Sequence, residues 1–176
     1  LLPRYLFLAG TMVALFAERV ETRHDGDFDP ATGSVTPSRS RRLGAIRLAT
    51  GPDPNPDQPA IEQALLDGVR DHGLSLLPWD ERAIQLRHRA AFAQKFDSSV
   101  AALSDAELLS RADEWLTPLL SGKRRLGEIP PAALAASLEQ FLGYEAMKRL
   151  ARVAPAEFSS PAGSAHGIDY TASAGP

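Results

Sequence analysis

The ten residues TGPDPNPDQP, Thr50 to Pro59, hold four prolines, and no other feature constrains the fold of this chain as strongly. Each pyrrolidine ring fixes its own φ and removes an N–H donor, so neither a helix interior nor a central ladder is expected to run through them. The segment is too short and stiff for a disordered tail and marks a boundary between two modules. A chain of 176 residues has room for one medium domain or two small ones. The apolar residues follow different periods on its two sides.

Ahead of the prolines, Leu1 to Phe16 is the most hydrophobic stretch. Arg4 interrupts it, it falls short of the ~20 residues a membrane span needs, and it has neither a Met start nor a basic lead-in to mark a signal peptide. It reads as the buried edge of a domain entered midway, with no membrane partner. Val13, Ala14, Phe16 and Ala17 recur at helical spacing and predict a short helix over Thr11 to Arg19. Arg19 to Phe28 then alternates charged and smaller residues as a strand does. DPATG, Asp29 to Gly33, is a turn with Gly where a left-handed residue is wanted, and it returns the chain into a second strand, Val35 to Leu48. Pro37 argues that one hairpin partner is an edge strand.

Beyond the prolines the period becomes 3.6. Ile61, Ala64, Leu65, Gly68, Val69 and His72 line one helix face, with Asp57 as cap, Pro59 in the first turn and Gly73 as terminator. LSLLPW is an apolar connector, and Asp80 caps a helix over Glu81 to Phe96 with Ile84, Leu86, Ala91, Phe92 and Phe96 inward. Ser104 and Glu107 form a capping box for a helix striped by Leu108, Ala112, Trp115 and Leu119 and ending near Gly122. A last helix begins at Pro130, buries Leu134, Leu138 and Phe141, breaks at Gly143 and stops before Pro155. The fold class is therefore α+β, a hairpin followed by a mainly helical module. Residues 154 to 170 form a closing extended piece that Phe158 and Tyr170 pin to the helices.

Chemistry is excluded more readily than assigned. The sequence has no cysteine, which removes disulfides, thiolate metal sites and a cysteine nucleophile, and it fits a reducing, cytoplasmic compartment. His24, His72, His88 and His166 are scattered, with no metal-ligand spacing. Asp25, Asp27 and Asp29 alternate like a calcium loop, but the sixth and twelfth positions from Asp25 are Pro30 and Thr36 instead of Gly and Glu. Ser164, His166 and Asp169 lie too close in sequence to converge as a triad, and no nucleophile elbow accompanies them. No phosphate loop or dinucleotide fingerprint is present, so no cofactor and no catalytic residue is expected in this stretch.

Total charge, −3, decides little; local clustering matters more. Arg39, Arg41, Arg42 and Arg47 fall in a stretch free of acidic residues between Val35 and Thr50. Guanidinium forks suit phosphates, so these four are the candidate nucleic-acid contacts. The competing reading has Glu18, Glu21, Asp25, Asp27 and Asp29 neutralise them across the hairpin. Lys123, Arg124 and Arg125 read as a helix C-terminus, where positive charge is favoured whatever the function. Trp79 and Trp115 read as core anchors rather than stacking platforms.

RRLGAIRL from Arg41, SLLPW from Ser75, QLRHRAAF from Gln85 and APAEFSSPAGSAHGIDY from Ala154, in that order, resemble the C-terminal part of HrpB-type ATP-dependent helicases, bacterial members of the DEAH-box RNA helicase superfamily. The resemblance implies that residues 1–52 are part of an OB-like β region with a short helix. Residues 57–176 would be the start of a family-specific, truncated C-terminal helical module. It also implies that ATP and Mg belong to the parent protein's upstream motor domains, which would be the partners of this region together with single-stranded RNA. A structural or protein-interaction module without RNA affinity is the alternative.

Overall fold

The structure, a computed structural model, describes residues 20–161 and 163–171; the helix expected over Thr11 to Arg19 lies outside them. Strand β1 (Val20–Asp29) pairs antiparallel with β2 (Ser34–Leu43) through the expected turn. The Asp29 carboxylate accepts the Ala31 N–H at 3.0 Å and the Thr32 hydroxyl at 2.7 Å, and Gly33 takes φ 59°. The second expected strand is in fact two. At Gly44, φ 57°, the chain reverses, and β3 (Ile46–Pro52) pairs back onto β2. The order of the described sheet is β1-β2-β3, so the hairpin's edge partner is β1, while β2, which carries Pro37, is central. Pro37 lies past the last β2–β3 pair, Ser38↔Pro52. There its carbonyl accepts the Asp53 N–H at 3.3 Å. The ladder also runs into the proline segment as far as Pro52, which a strand end tolerates.

Helix α1 (Gln58–His72) starts and stops as its sequence dictates, with Pro59 in the first turn and the Gly73 N–H donating to the Val69 carbonyl at 2.8 Å. Asp57 holds the N-cap position, but its side chain makes no cap bond. Helix α2 (Glu81–Gln94) is capped by the Asp80 carboxylate, which accepts the Ala83 N–H at 2.8 Å. Its buried stripe is Ala83, Leu86, Ala90 and Ala93, while Ala91 and Phe96 are exposed. Small side chains on that stripe let two helix backbones approach closely.

The Ser104 hydroxyl accepts the Glu107 N–H at 3.3 Å. The helix it opens is broken into α3 (Asp105–Ser110), α4 (Ala112–Trp115) and α5 (Thr117–Leu120). Arg111, at φ −117°, ends the first piece, and Pro118 can continue no ladder from α4 into α5. Leu108, Ala112 and Trp115 are buried as the stripe predicts, with Leu120 rather than Leu119 completing it. Helix α6 (Pro131–Val153) is interrupted at Gly143, φ 78° and ψ 166°.

The core joins α1 to α6 around Ile61, Leu65, Val69, Leu108, Trp115, Leu134, Leu138 and Leu150. Each such side chain contributes about 1.5–3 kcal/mol on leaving water. Trp115, 1% exposed, donates its indole N–H to the Leu108 carbonyl at 2.9 Å. Trp79 donates to the Leu74 carbonyl at 2.7 Å and packs 6.3 Å from Trp115, so both act as anchors.

The sheet is fastened to this core twice. Phe28 and Val35 pack against α1, where Gly26 and Gly68 leave room for them. Val35 also donates its N–H to the Arg124 carbonyl at 2.9 Å, and Leu126 donates to the Gly33 carbonyl at 2.8 Å. Lys123, Arg124 and Arg125 therefore do not end a helix. They run beside the start of β2, with Arg125 bridging Ser34.

The closing stretch forms a small hairpin, β4 (Glu157–Ser159) on β5 (Ala165–Gly167). Tyr170 pins it as expected, its ring 5.1 Å from Phe92 and its hydroxyl donating to the Pro155 carbonyl at 2.7 Å. Phe158 does not; its side chain points outward, leaving the residue 57% exposed.

Candidate nucleic-acid interface

The strand period divides the four candidate arginines between two faces. Paired residues of an antiparallel sheet share a face. Arg39 and Arg41 pair with His24 and Thr22, which continue the Phe28–Val35 face that packs on α1. Arg42 lies on the opposite face with Ser38 and Ser40. Across β2–β3 the register is Arg41↔Ala49 and then Arg42↔Arg47, so Leu48 is an extra residue in a β-bulge. Without the bulge Leu48 would oppose Arg42, and Arg47 would fall on the other face. The bulge therefore sets Arg47 directly across from Arg42.

These two, with Arg23, Asp25, Asp27, Ser38, Ser40 and Thr50, line a shallow trough of about 370 Å³ on the outer sheet face. Arg42 is half-buried, and its Nε has no hydrogen-bond partner and no solvent contact. Arg39, Arg41 and Arg47 are exposed. Arg23 was not among the expected contacts. The hairpin register, which pairs it with Ser40, carries the signal that places it here.

Neutralisation across the hairpin is partial in geometry. Glu18 lies outside the described residues; among those described, only Glu21 stands in register opposite one of the four arginines, Arg42. Asp25 takes the Arg23 Nε at 2.9 Å and accepts the Ser40 hydroxyl at 2.8 Å. Asp29 is spent on its turn: the Thr32 hydroxyl and then the Ala31 N–H hold its carboxyl below the ordinary value. Asp27 pairs with Thr36. Among the described residues, none of the four arginines makes an ion pair.

On the other face, His24 Nδ1 lies 2.5 Å from Asp53 Oδ2, joining β1 to the linker after β3. The Asp53 side chain is 2% exposed. Its carboxyl is held below the ordinary value, first by the His24 hydrogen bond and further by the Asn55 N–H and the charges of His24 and Arg39.

The other chemical candidates do not assemble. The Ser164 N–H donates to the Ser160 hydroxyl, His166 pairs with Phe158, and the Asp169 carboxylate accepts the Thr171 hydroxyl and N–H. Among the described residues no group of three or more His, Asp or Glu side chains is placed to hold a metal, and no helix is long and apolar enough to cross a membrane.

Residues 115–176 match the family model for the HrpB ATP-dependent helicase C-terminal region. The chain is 31% identical over 146 residues to the ATP-dependent RNA helicase HrpB of Escherichia coli strain K12, covering 82% of this chain and 18% of that protein. The crystal structure of the E. coli DExH-box NTPase HrpB superposes with a TM-score of 0.64 at 28% identity, over 91% of this chain and 20% of the other. That of the Escherichia coli DEAH/RHA helicase HrpB gives 0.66 at 30% identity, over 86% and 20%. The chain spans about a fifth of the length of each.

Proposed function

Since the chain belongs to the HrpB-type helicases, as part of their C-terminal region, we propose that it is a non-catalytic accessory region of a bacterial, cytoplasmic ATP-dependent RNA helicase. Its role is to contact single-stranded RNA beside motor domains that handle ATP and Mg elsewhere in the parent protein. The observation that carries this reading is the set of arginines on β2 and β3 left without ion pairs among the described residues. OB-like domains hold single strands through a charged groove along a sheet, and the three-stranded antiparallel sheet is compatible with that use. Reversing charge at Arg41 and Arg42 together should weaken binding of single-stranded RNA and flatten its salt dependence. Unchanged isotherms across a salt series in a variant that melts like the parent would remove the reading.

A second reading, a structural or protein-docking module, is favoured by one observation. Strand β3 ends the described sheet with Ile46 62% exposed and Leu48 39% exposed, apolar surface of the kind that meets another domain. It predicts no RNA affinity for this chain and a stable contact with the motor domains.

A further inference from the structure

We propose that the trough around Arg42 and Arg47 is a phosphate-binding site, one that takes a backbone phosphodiester of the RNA rather than a base. The identity of the phosphate's owner rests on the RNA reading above; the site itself does not. Like charges placed directly opposite across a ladder repel. Here a β-bulge creates such a pair, setting Arg47 opposite Arg42. The Arg42 Nε is out of water and unpaired, and a buried guanidinium donor without a partner is costly. One doubly accepting oxyanion between the two forks relieves both penalties.

The lining fits that ligand class. Arg23, Arg42 and Arg47 supply forks, and Ser38 and Thr50 add hydroxyls. Ser40 and Asp25 are committed to one another, and the Arg23 Nε compensates the Asp25 charge. Asp27, paired with Thr36, lies at the end of the trough away from Arg42. Among the described residues no aromatic ring lines the trough, so they offer a base nothing to stack on. Glu21 is the carboxylate placed to compete for Arg42, yet it makes no ion pair with it. Arg39 and Arg41 face the other way and take no part.

The test uses the whole chain and reads the arginine Nε–Hε resonances during titration with inorganic phosphate, then follows oligouridylate binding by anisotropy over a salt series. Phosphate should shift the signals of Arg42 and Arg47 and leave those of Arg39 and Arg41 in place. Arg42→Gln should weaken oligouridylate about tenfold and lower the salt slope by about 0.7, and Glu21→Gln should tighten it. Because Arg42 is half-buried, Arg47→Lys serves as the variant that keeps the charge and the fold. It should lose affinity by removing the fork alone. Phosphate shifts at Arg42 and Arg47 with no oligouridylate binding would support the site and overturn the RNA reading. Oligouridylate binding that ignores both substitutions, with no phosphate shifts, would overturn the site and leave the RNA reading standing.

Discussion

The Cα of Gly68 on α1 sits against the ring of Phe28 on β1, so close that a Cβ there would lie 2.5 Å from two ring atoms. Gly68 is thus one point at which helix and sheet touch. The same ring stacks on His72, centroids 5.8 Å apart.

Gly68→Ala should therefore destabilise the protein even though alanine is the better helix former. Overpacking costs about 1–3 kcal/mol, against a helix-propensity gain of about 1 kcal/mol. Chemical denaturation should show a net loss, and combining the change with Phe28→Leu should recover part of it. A stabilised Gly68→Ala protein would contradict this contact.

Asp53 should make stability fall in acid. Its folded carboxyl titrates below the ordinary value because the His24 ring holds it. The folded state therefore binds fewer protons than the unfolded one in that range. The contribution is present above the unfolded pKa, about 3.9, and is lost as pH drops through the lower folded value. Melting curves taken from about pH 5 downward should show a steeper acid decline for the native protein than for Asp53→Asn.

At Gly143 the backbone takes φ 78° and ψ 166°, and a Cβ there would meet nothing within 4 Å. The penalty for alanine is then purely conformational, about 1–3 kcal/mol. Gly143→Ala should lower Tm accordingly. A gain in both helical circular dichroism and stability would mean that α6 prefers to run straight.

Ser137, buried on α6, donates its hydroxyl to the Trp115 carbonyl at 2.5 Å. Ser137→Ala leaves that carbonyl unpaired in the core and should cost about 1–3 kcal/mol. Equilibrium unfolding of the variant measures it directly, and no change in midpoint would show that water or another donor takes the place of the hydroxyl.

Much of the helical part was legible because its signals are local. Asp80 caps α2, Gly73 stops α1 and Gly143 breaks α6 through their own side chains or φ preferences, within a few residues of the backbone they act on. The hidden parts depend on distant neighbours. Alanines 83, 90 and 93 became the buried stripe of α2 while Phe96 stayed outside. The hydropathy of a residue says nothing about how near the facing helix will come. Asp57 and Glu107 illustrate the reverse: their sequence positions suit caps, but the side-chain bonds those positions invite are not made.

The sequence alone determined where the elements change character: the prolines between sheet and helices, the turn at Asp29 to Gly33, and the α+β order along the chain. It also carried the family. Which arginines work together was decided only in three dimensions. Side chains of a strand alternate with a period of two, so a one-residue slip exchanges the faces. The reversal at Gly44 and the bulge at Leu48 set that slip. Alternation along β2 already parts Arg41 from its neighbour Arg42; the bulge brings Arg47 opposite Arg42, and the β1–β2 register brings the unexpected Arg23 to the same surface. Strand register is settled by pairing between segments, and no local preference along β2 or β3 fixes it.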